Sequence, residues 1–200
     1  MALLTVREFK IYHEYLDQDA QIALVEEVRA CLKHAPLFQP VTPRGTPMSV
    51  RMSAAGQFGW VSDRKGYRYE AKHPSGVSWP EMPKRVLDLW RTLVPSARLP
   101  ECCLINWYSD AAKMGMHQDR DEKDMSQPVV SISLGDDALF RMGNARRGGK
   151  TESVWLRSGD VVVMEGSARM AYHGVDRVRP HSSTLLRNGC RINLTLRVVT

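Results

Sequence analysis

The sequence predicts an α+β protein, with helices in its first half and an antiparallel sandwich or barrel of short strands in its second. Three observations carry this. Apolar residues recur every three to four positions after Asp17 and Asp19, and again from about Met82 to Val94. After Pro100 the pattern changes to short β-rich runs punctuated by Gly, Asn, Asp and Ser.

The first helix buries Ile22, Val25, Val28 and Leu32 and ends near Lys33. Residues 35–47 hold Pro36, Pro40, Pro43, Gly45 and Pro47, so they form a loop. Pro80 and Pro83 mark the start of the second helix, whose buried face is Val86, Leu87, Leu89, Trp90, Leu93 and Val94. The strands that follow are CCLINWY, PVVSISL, ALFRM, SVWLR, DVVVME, RMAYHGV and RINLTLRVV. There is no internal repeat and no low-complexity tract. Two hundred residues that are 43% apolar suit a single domain.

No run of 18 apolar residues is present, so no membrane span is expected. The start, MALLTVREFK, does not read as a signal peptide. Cys31, Cys102, Cys103 and Cys190 show no CxxC spacing, which predicts reduced thiols and a cytoplasmic protein. The net charge of +6 favours an anionic partner such as nucleic acid, although many basic proteins bind none.

Residues 117–122 read HQDRDE, too polar for an element that only packs. A lone H-x-D is a common short pattern and decides nothing by itself. The C-terminal run Arg191-Ile192-Asn193-Leu194-Thr195-Leu196-Arg197-Val198 is more informative. Strand alternation puts Arg191, Asn193, Thr195 and Arg197 on one face and the aliphatic residues on the other. That polar face is either a solvated edge or a receptor for a dicarboxylate, because a guanidinium binds carboxylate through a bidentate fork. If residues 116–120 lie at a strand end, His117 and Asp119 project to one side and chelate one cation. His173, in the run Tyr172-His173-Gly174, supplies a second imidazole. Two His and one carboxylate are the ligands of non-haem Fe(II) oxygenases, with open positions left over. Zinc with the same ligands, as in hydrolytic sites, is the competitor. The arginine strand favours iron, since a 2-oxo acid would chelate the metal and rest its distant carboxylate on Arg191.

H-x-D, a distal His and R-x-N-x-T-x-R, in that order, resemble the AlkB family of Fe(II)/2-oxoglutarate dioxygenases, which strip alkyl groups from damaged bases in DNA and RNA. The resemblance runs from about Met48 to Val198. It passes through MSVRM (48–52), GW (59–60), GYRY (66–69), LINWY (104–108), HQDRDE, DVVVM (160–164), YHG (172–174) and RINLTLR. It implies one domain over 1–200, with a double-stranded β-helix (jelly-roll) core over about 101–200. N-terminal helices and a nucleotide-recognition lid over about 48–80 complete it.

Position by position, the resemblance implies that His117, Asp119 and His173 bind Fe(II) and carry catalysis. Asn106 and Tyr108 would hydrogen-bond 2-oxoglutarate, Arg191 would pair with its far carboxylate, and Asn193 and Arg197 would line that pocket. Trp60 would stack on the extracted base, with Met52 and Tyr67 as lid contacts and His173 presenting a ring face. Asp121 would accept a hydrogen bond from the exocyclic amine of adenine or cytosine. Arg147, with Arg146 and Lys150 in NARRGGK, would contact the nucleotide backbone. The plain alternatives are packing for the lid residues and a solvated loop for the basic run. Glu122 stays undecided, and Asp124 reads as solvated. Met164 stands where a close bacterial relative has Trp, and Trp107 where a basic residue is expected.

The implied activity is oxidative demethylation of 1-methyladenine and 3-methylcytosine, with 2-oxoglutarate and O2 giving succinate, CO2 and formaldehyde. The implied partner is alkylated DNA, single-stranded as well as duplex, with RNA as a second candidate. No membrane is involved and the protein is expected to be a monomer. The rivals are the same chemistry on RNA, protein or a small molecule, and a catalytically silent nucleic-acid-binding module. Intact ligands and both arginines argue against the silent module, since binding alone needs none of them.

Overall fold

A computed structural model describes residues 2–109, 111–187 and 189–200. The chain opens with β1 (Ala2–Val6) and β2 (Phe9–His13), then α1 (Gln18–His34), β3 (Arg51–Gly56), β4 (Gly59–Asp63), β5 (Gly66–Glu70) and α2 (Lys84–Leu93). The second half is β6 (Cys102–Tyr108), β7 (Met114–His117), β8 (Val129–Gly135), β9 (Ala138–Met142), β10 (Glu152–Leu156) and β11 (Val161–Met164). A 3-10 turn (Gly166–Met170) precedes β12 (His173–Val178) and β13 (Arg191–Arg197).

Both helices form where predicted, but the buried face of α1 is corrected. Ile22 is 47% exposed, and Leu24 and Cys31 join Val25 and Val28 in the core because the stripe lies further round the helix. Asp17 caps α1 by accepting a hydrogen bond from the Ala20 amide at 2.8 Å, and Lys33 and His34 close its last turn. α2 is shorter than predicted because Pro83 is its N-cap and Val94 its C-cap. The β1–β2 hairpin is not predicted from sequence. It turns at Arg7 and Glu8, with φ of 47° and 67°, a mirror-image turn without the Gly or Asn that usually signals one.

Strands β1, β2, β11, β8, β13, β6 and β3 form one sheet in that order; β10, β9, β12 and β7 form a second, and β4 pairs only with β5. β13 lies between β8 and β6, and all seven of its residues are buried. Ile192, Leu194 and Leu196 pack with Val28, Val86 and Trp90 of the helices. The opposite face of the large sheet packs Leu104, Val162 and Met164 against Phe140, Met142 and Leu156 of the small one. Each such aliphatic or aromatic side chain is worth roughly 1.5–3 kcal/mol when fully buried. The result is the expected double-stranded β-helix. Of the two readings of the polar face of β13, the solvated edge is excluded: all seven residues are buried, and that face looks into the space between the sheets.

Two further expectations change. RMAYHGV is not one strand, since the 3-10 turn takes Arg169 and Met170 and β12 begins at His173. The segment 48–80 is not uniform either, because β3 extends the large sheet beside β6 while β4 and β5 stand apart as a hairpin. Gly59 lets that hairpin settle on Trp79, since a Cβ there would lie 2.3 Å from the indole. Among the described residues no helix is long and apolar enough to cross a membrane. Cys31, Cys102, Cys103 and Cys190 are all buried.

Candidate active site

β7 and β12 are antiparallel neighbours that place His117 directly opposite His173, with ring centroids 4.6 Å apart. The approach is close at Gly174, where a Cβ would lie 2.5 Å from the Met114 carbonyl oxygen. That explains a glycine directly after His173. Asp119 follows β7, with Oδ1 3.6 Å from His117 Nε2 and Oδ2 3.8 Å from His173 Nε2. His117 Nδ1 donates to the Gly115 carbonyl at 2.9 Å and His173 Nδ1 to the Ala171 carbonyl at 3.0 Å. A carbonyl only accepts, so each Nε2 keeps its lone pair for a metal.

Burial, reinforced by His117, pushes the His173 imidazole down to about 4, so it is neutral at neutral pH. Burial alone would raise the Asp119 carboxyl. The Arg197 guanidinium and the two imidazoles outweigh burial and hold it well below the usual carboxylate range. Asp119 Oδ2 is buried without a hydrogen-bond partner. The three donor atoms lie within 4.8 Å of one another. A divalent cation with ligands at roughly 2 Å reaches all three and satisfies the orphaned oxygen.

A second receptor lies beyond them on the large sheet. Arg191 is fully buried beside the Tyr108 ring, its guanidinium carbon 5.2 Å from the centroid. One nitrogen, Nη2, donates to Ser133 Oγ at 2.9 Å, whereas Nε and Nη1 are buried without partners. A buried guanidinium with two free donors fits a carboxylate. Asn193 spans Ser131 Oγ at 2.7 Å and the Ile132 carbonyl at 3.1 Å, and Thr195 donates to its Oδ1 at 3.0 Å. Asn106 Oδ1 is a buried acceptor still open.

Arg197 behaves differently from Arg191. Its Nη2 donates to Asp119 Oδ1 at 2.8 Å, its Nη1 reaches Tyr69 Oη at 3.3 Å, and its Nε is 3.5 Å from Glu122 Oε1. Tyr69 donates to Glu122 Oε1, and Arg169 Nη2 pairs with Glu122 Oε2 at 3.1 Å. Arg169 also donates to the Asp119 carbonyl and, at 2.8 Å, to the Gln127 carbonyl. Glu122, undecided from sequence, is thus a buried ion-pair partner. The sequence assigns Arg169 no role, and it places Tyr69 only among the aromatic residues of the lid, without its partners. A single arginine in a run read as a strand gives no signal, but Tyr69 is the cross-strand partner of Trp60, which hairpin register in GYRY could have shown.

Trp60 stacks on Tyr67, with centroids 5.5 Å apart and planes 16° apart. Its Nε1 donates to Asp121 Oδ2 at 2.8 Å, tying the β4–β5 hairpin to the metal loop. Met52 lines the same cleft from the large sheet, opposite Asn106, so it is part of the floor and not of the hairpin. Arg147 stands exposed at the rim. The expectation that His173 offers a ring face to a base is corrected. Phe9 and Phe140 flank it, and its side chain is 7% exposed against 39% for His117, so the accessible imidazole is that of His117. The His117–Asp119–His173 set, Arg191, Asn106, Met52, Trp60, Tyr67, Asp121 and Arg147 line one cleft of about 580 Å³. Met164 and Leu156 supply its apolar wall, while Trp107 faces the helices on the other side of the sheet.

Two imidazoles and a carboxylate facing a buried, half-paired arginine inside a jelly roll define a 2-oxoglutarate-dependent iron oxygenase. Residues 8–197 match the 2OG-Fe(II) oxygenase superfamily. The Caulobacter vibrioides alpha-ketoglutarate-dependent dioxygenase AlkB homolog is 52% identical over 98% of this chain and 89% of its own length. Escherichia coli alpha-ketoglutarate-dependent dioxygenase AlkB is 38% identical over 87% of this chain and 82% of its own. The solved structure of OsALKBH1 superposes with a TM-score of 0.80 at 30% identity, covering 98% of this chain and 99% of that one. The chain belongs to the AlkB family within that superfamily, and it is an Fe(II)- and 2-oxoglutarate-dependent dioxygenase.

Proposed function

We propose that this enzyme removes methyl groups oxidatively from 1-methyladenine and 3-methylcytosine in DNA. The observation that supports this best is a single cleft with three zones. Its lining runs from the fully buried Arg191, through the His117–Asp119–His173 set, to the more exposed Trp60, Tyr67, Asp121 and Arg147. In this reading residues 48–80 act as the lid of a single domain whose core is about 101–200.

The chain's own residues divide the work. His117, Asp119 and His173 hold Fe(II). Arg191 takes the far carboxylate of 2-oxoglutarate on its two free donors, Tyr108 packs beside it, and Asn106 and Asn193 polarise the wall. Arg197 keeps Asp119 ionised and aimed at the metal. Bound Fe(II), with 2-oxoglutarate and O2, supplies the oxidation that turns an N-methyl group into formaldehyde. Trp60 and His117 replace the neighbours that an extracted base loses. Asp121 Oδ2 is held by Trp60, so Oδ1 is left to accept the exocyclic amine of adenine or cytosine. A carboxylate there also favours a base made cationic by methylation. Arg147 takes a backbone phosphate.

Extraction costs least from a single strand, so single-stranded DNA is the preferred form and duplex DNA the second. The reading includes a cytoplasmic monomer, for which buried cysteines without CxxC spacing support a reducing compartment. Intact-mass measurement of a 3-methylcytosine oligonucleotide tests the proposal. With Fe(II) and 2-oxoglutarate it should lose its methyl group, whereas persistence of the methyl on both DNA and RNA forms would sink the reading.

A further inference from the structure

The outer face of the small sheet is as patterned as its inner face. Ala138, Phe140, Met142 and Leu156 point into the core, so Leu139, Arg141, Ser153 and Trp155 point outward. In the register, Leu139 pairs with Trp155 on one side and Arg177 on the other, and Arg141 lies opposite Gly174, next to His173. Trp155 sits under two cations, with the Arg179 guanidinium 4.1 Å from its ring centroid and that of Arg177 at 5.7 Å. Arg177 and Arg179 are exposed.

Arg141 and Arg179 make ion pairs with Asp176 and Asp137 at 3.2 and 3.1 Å, and Arg177 has no carboxylate partner among the described residues. The Arg141–Asp176 pair is exposed on both sides and weak, so a stronger anion displaces it, whereas Arg179 pairs with the nearly buried Asp137. An unattached surface arginine loses rotamer freedom when it binds. Here the indole already holds two of them in place, which lowers that cost.

We propose that this face carries the phosphodiester backbone of the single strand flanking the target nucleotide. Arg147 lies on the exposed loop that leaves β9 just beyond Arg141, so the track would run from that loop past Arg141 to Arg177 and Arg179. The strand spacing of roughly 3.3 Å per residue puts Leu139, and the Trp155 and Arg177 beside it, one same-face step of about 7 Å beyond Arg141. Arginines standing in a row along a sheet, pinned by a ring, suit a repeating phosphate better than a compact ligand. The inference rests on the reading that the cleft takes a methylated nucleobase.

Fluorescence anisotropy and demethylation, each with a methylated trinucleotide and a methylated 15-mer, test it. The wild type should bind the 15-mer more tightly. The doubly substituted Arg177→Ala/Arg179→Ala protein should lose most of that length advantage while demethylating the trinucleotide as before. Its log affinity against log salt should flatten by about 0.7 per lost phosphate contact. Arg177→Lys, which keeps the charge, should retain most of the slope. An unchanged length advantage and salt slope in the double variant, with trinucleotide demethylation intact, would overturn the surface and leave the catalytic reading standing. Absence of both trinucleotide demethylation and any length advantage in the wild type would overturn both.

Discussion

Arg197 Nη2 lies 2.8 Å from Asp119 Oδ1, joining β13 of the large sheet to the loop that follows β7. This resolves a difficulty in the sequence. Arg191 and Arg197 share a strand face but are about 20 Å apart at roughly 3.3 Å per residue, too far to grip both ends of a five-carbon diacid. Arg191 keeps two donors free for one, Nε and Nη1, whereas Arg197 leaves only Nε without a hydrogen bond and that atom faces Glu122 Oε1 at 3.5 Å. Arg197 spends its charge on Asp119 and Glu122.

Arg197→Gln should therefore be costly, because it leaves two buried carboxylates short of a cation. Breaking one partner of a buried pair costs about 3–5 kcal/mol, which urea unfolding would read as a lowered midpoint. Arg197→Lys should lower kcat more than it raises KM for 2-oxoglutarate. A change confined to KM would move Arg197 into the co-substrate receptor.

Arg191→Lys keeps a positive charge and loses the fork. Charge-assisted hydrogen bonds are worth about 1.5–3 kcal/mol, so KM for 2-oxoglutarate should rise about ten- to a hundredfold. Steady-state kinetics with 2-oxoglutarate varied reads this directly. A wild-type KM would place the clamp on another residue.

Trp60→Ala should weaken binding of a methylated oligonucleotide by about 1–3 kcal/mol, the usual worth of one stacked base. Trp60→Phe keeps a ring but cannot donate to Asp121. It should retain most of the affinity while discriminating less sharply between amino-bearing and keto-bearing bases. Equal loss in both variants, with 2-oxoglutarate consumption also lost, would make Trp60 structural.

Arg147→Ala should flatten the salt dependence of DNA affinity by about one contact's worth, roughly 0.7 in the log–log slope. Measured by anisotropy across a salt series, an unchanged slope would return Arg147 to the solvated surface.

How far the sequence could be read depended on what each signal encodes. Period-two alternation in Arg191 to Arg197 specified a strand, and its burial followed from the helices that cover the aliphatic side. The grouping of His117, Asp119 and His173 was legible because H-x-D and a later His sit at strand ends, where spacing translates into shared direction. Arg169 and Glu122 were not legible, because their pairing spans 47 residues and depends on the 3-10 turn that interrupts RMAYHGV. The exposed imidazole was misassigned for a similar reason. Which histidine Phe9 covers is decided by a hairpin whose turn has no Gly or Asn to announce it.

The most direct test of the account is the joint release of succinate and formaldehyde from a 1-methyladenine oligonucleotide, with Asp119→Ala measured in parallel. The wild type, given Fe(II) and 2-oxoglutarate, should release formaldehyde in step with succinate. Asp119→Ala should release neither and should bind metal poorly, since two imidazoles alone hold Fe(II) weakly. Formaldehyde release undiminished in Asp119→Ala, or none from the wild type on any methylated oligonucleotide, would contradict it.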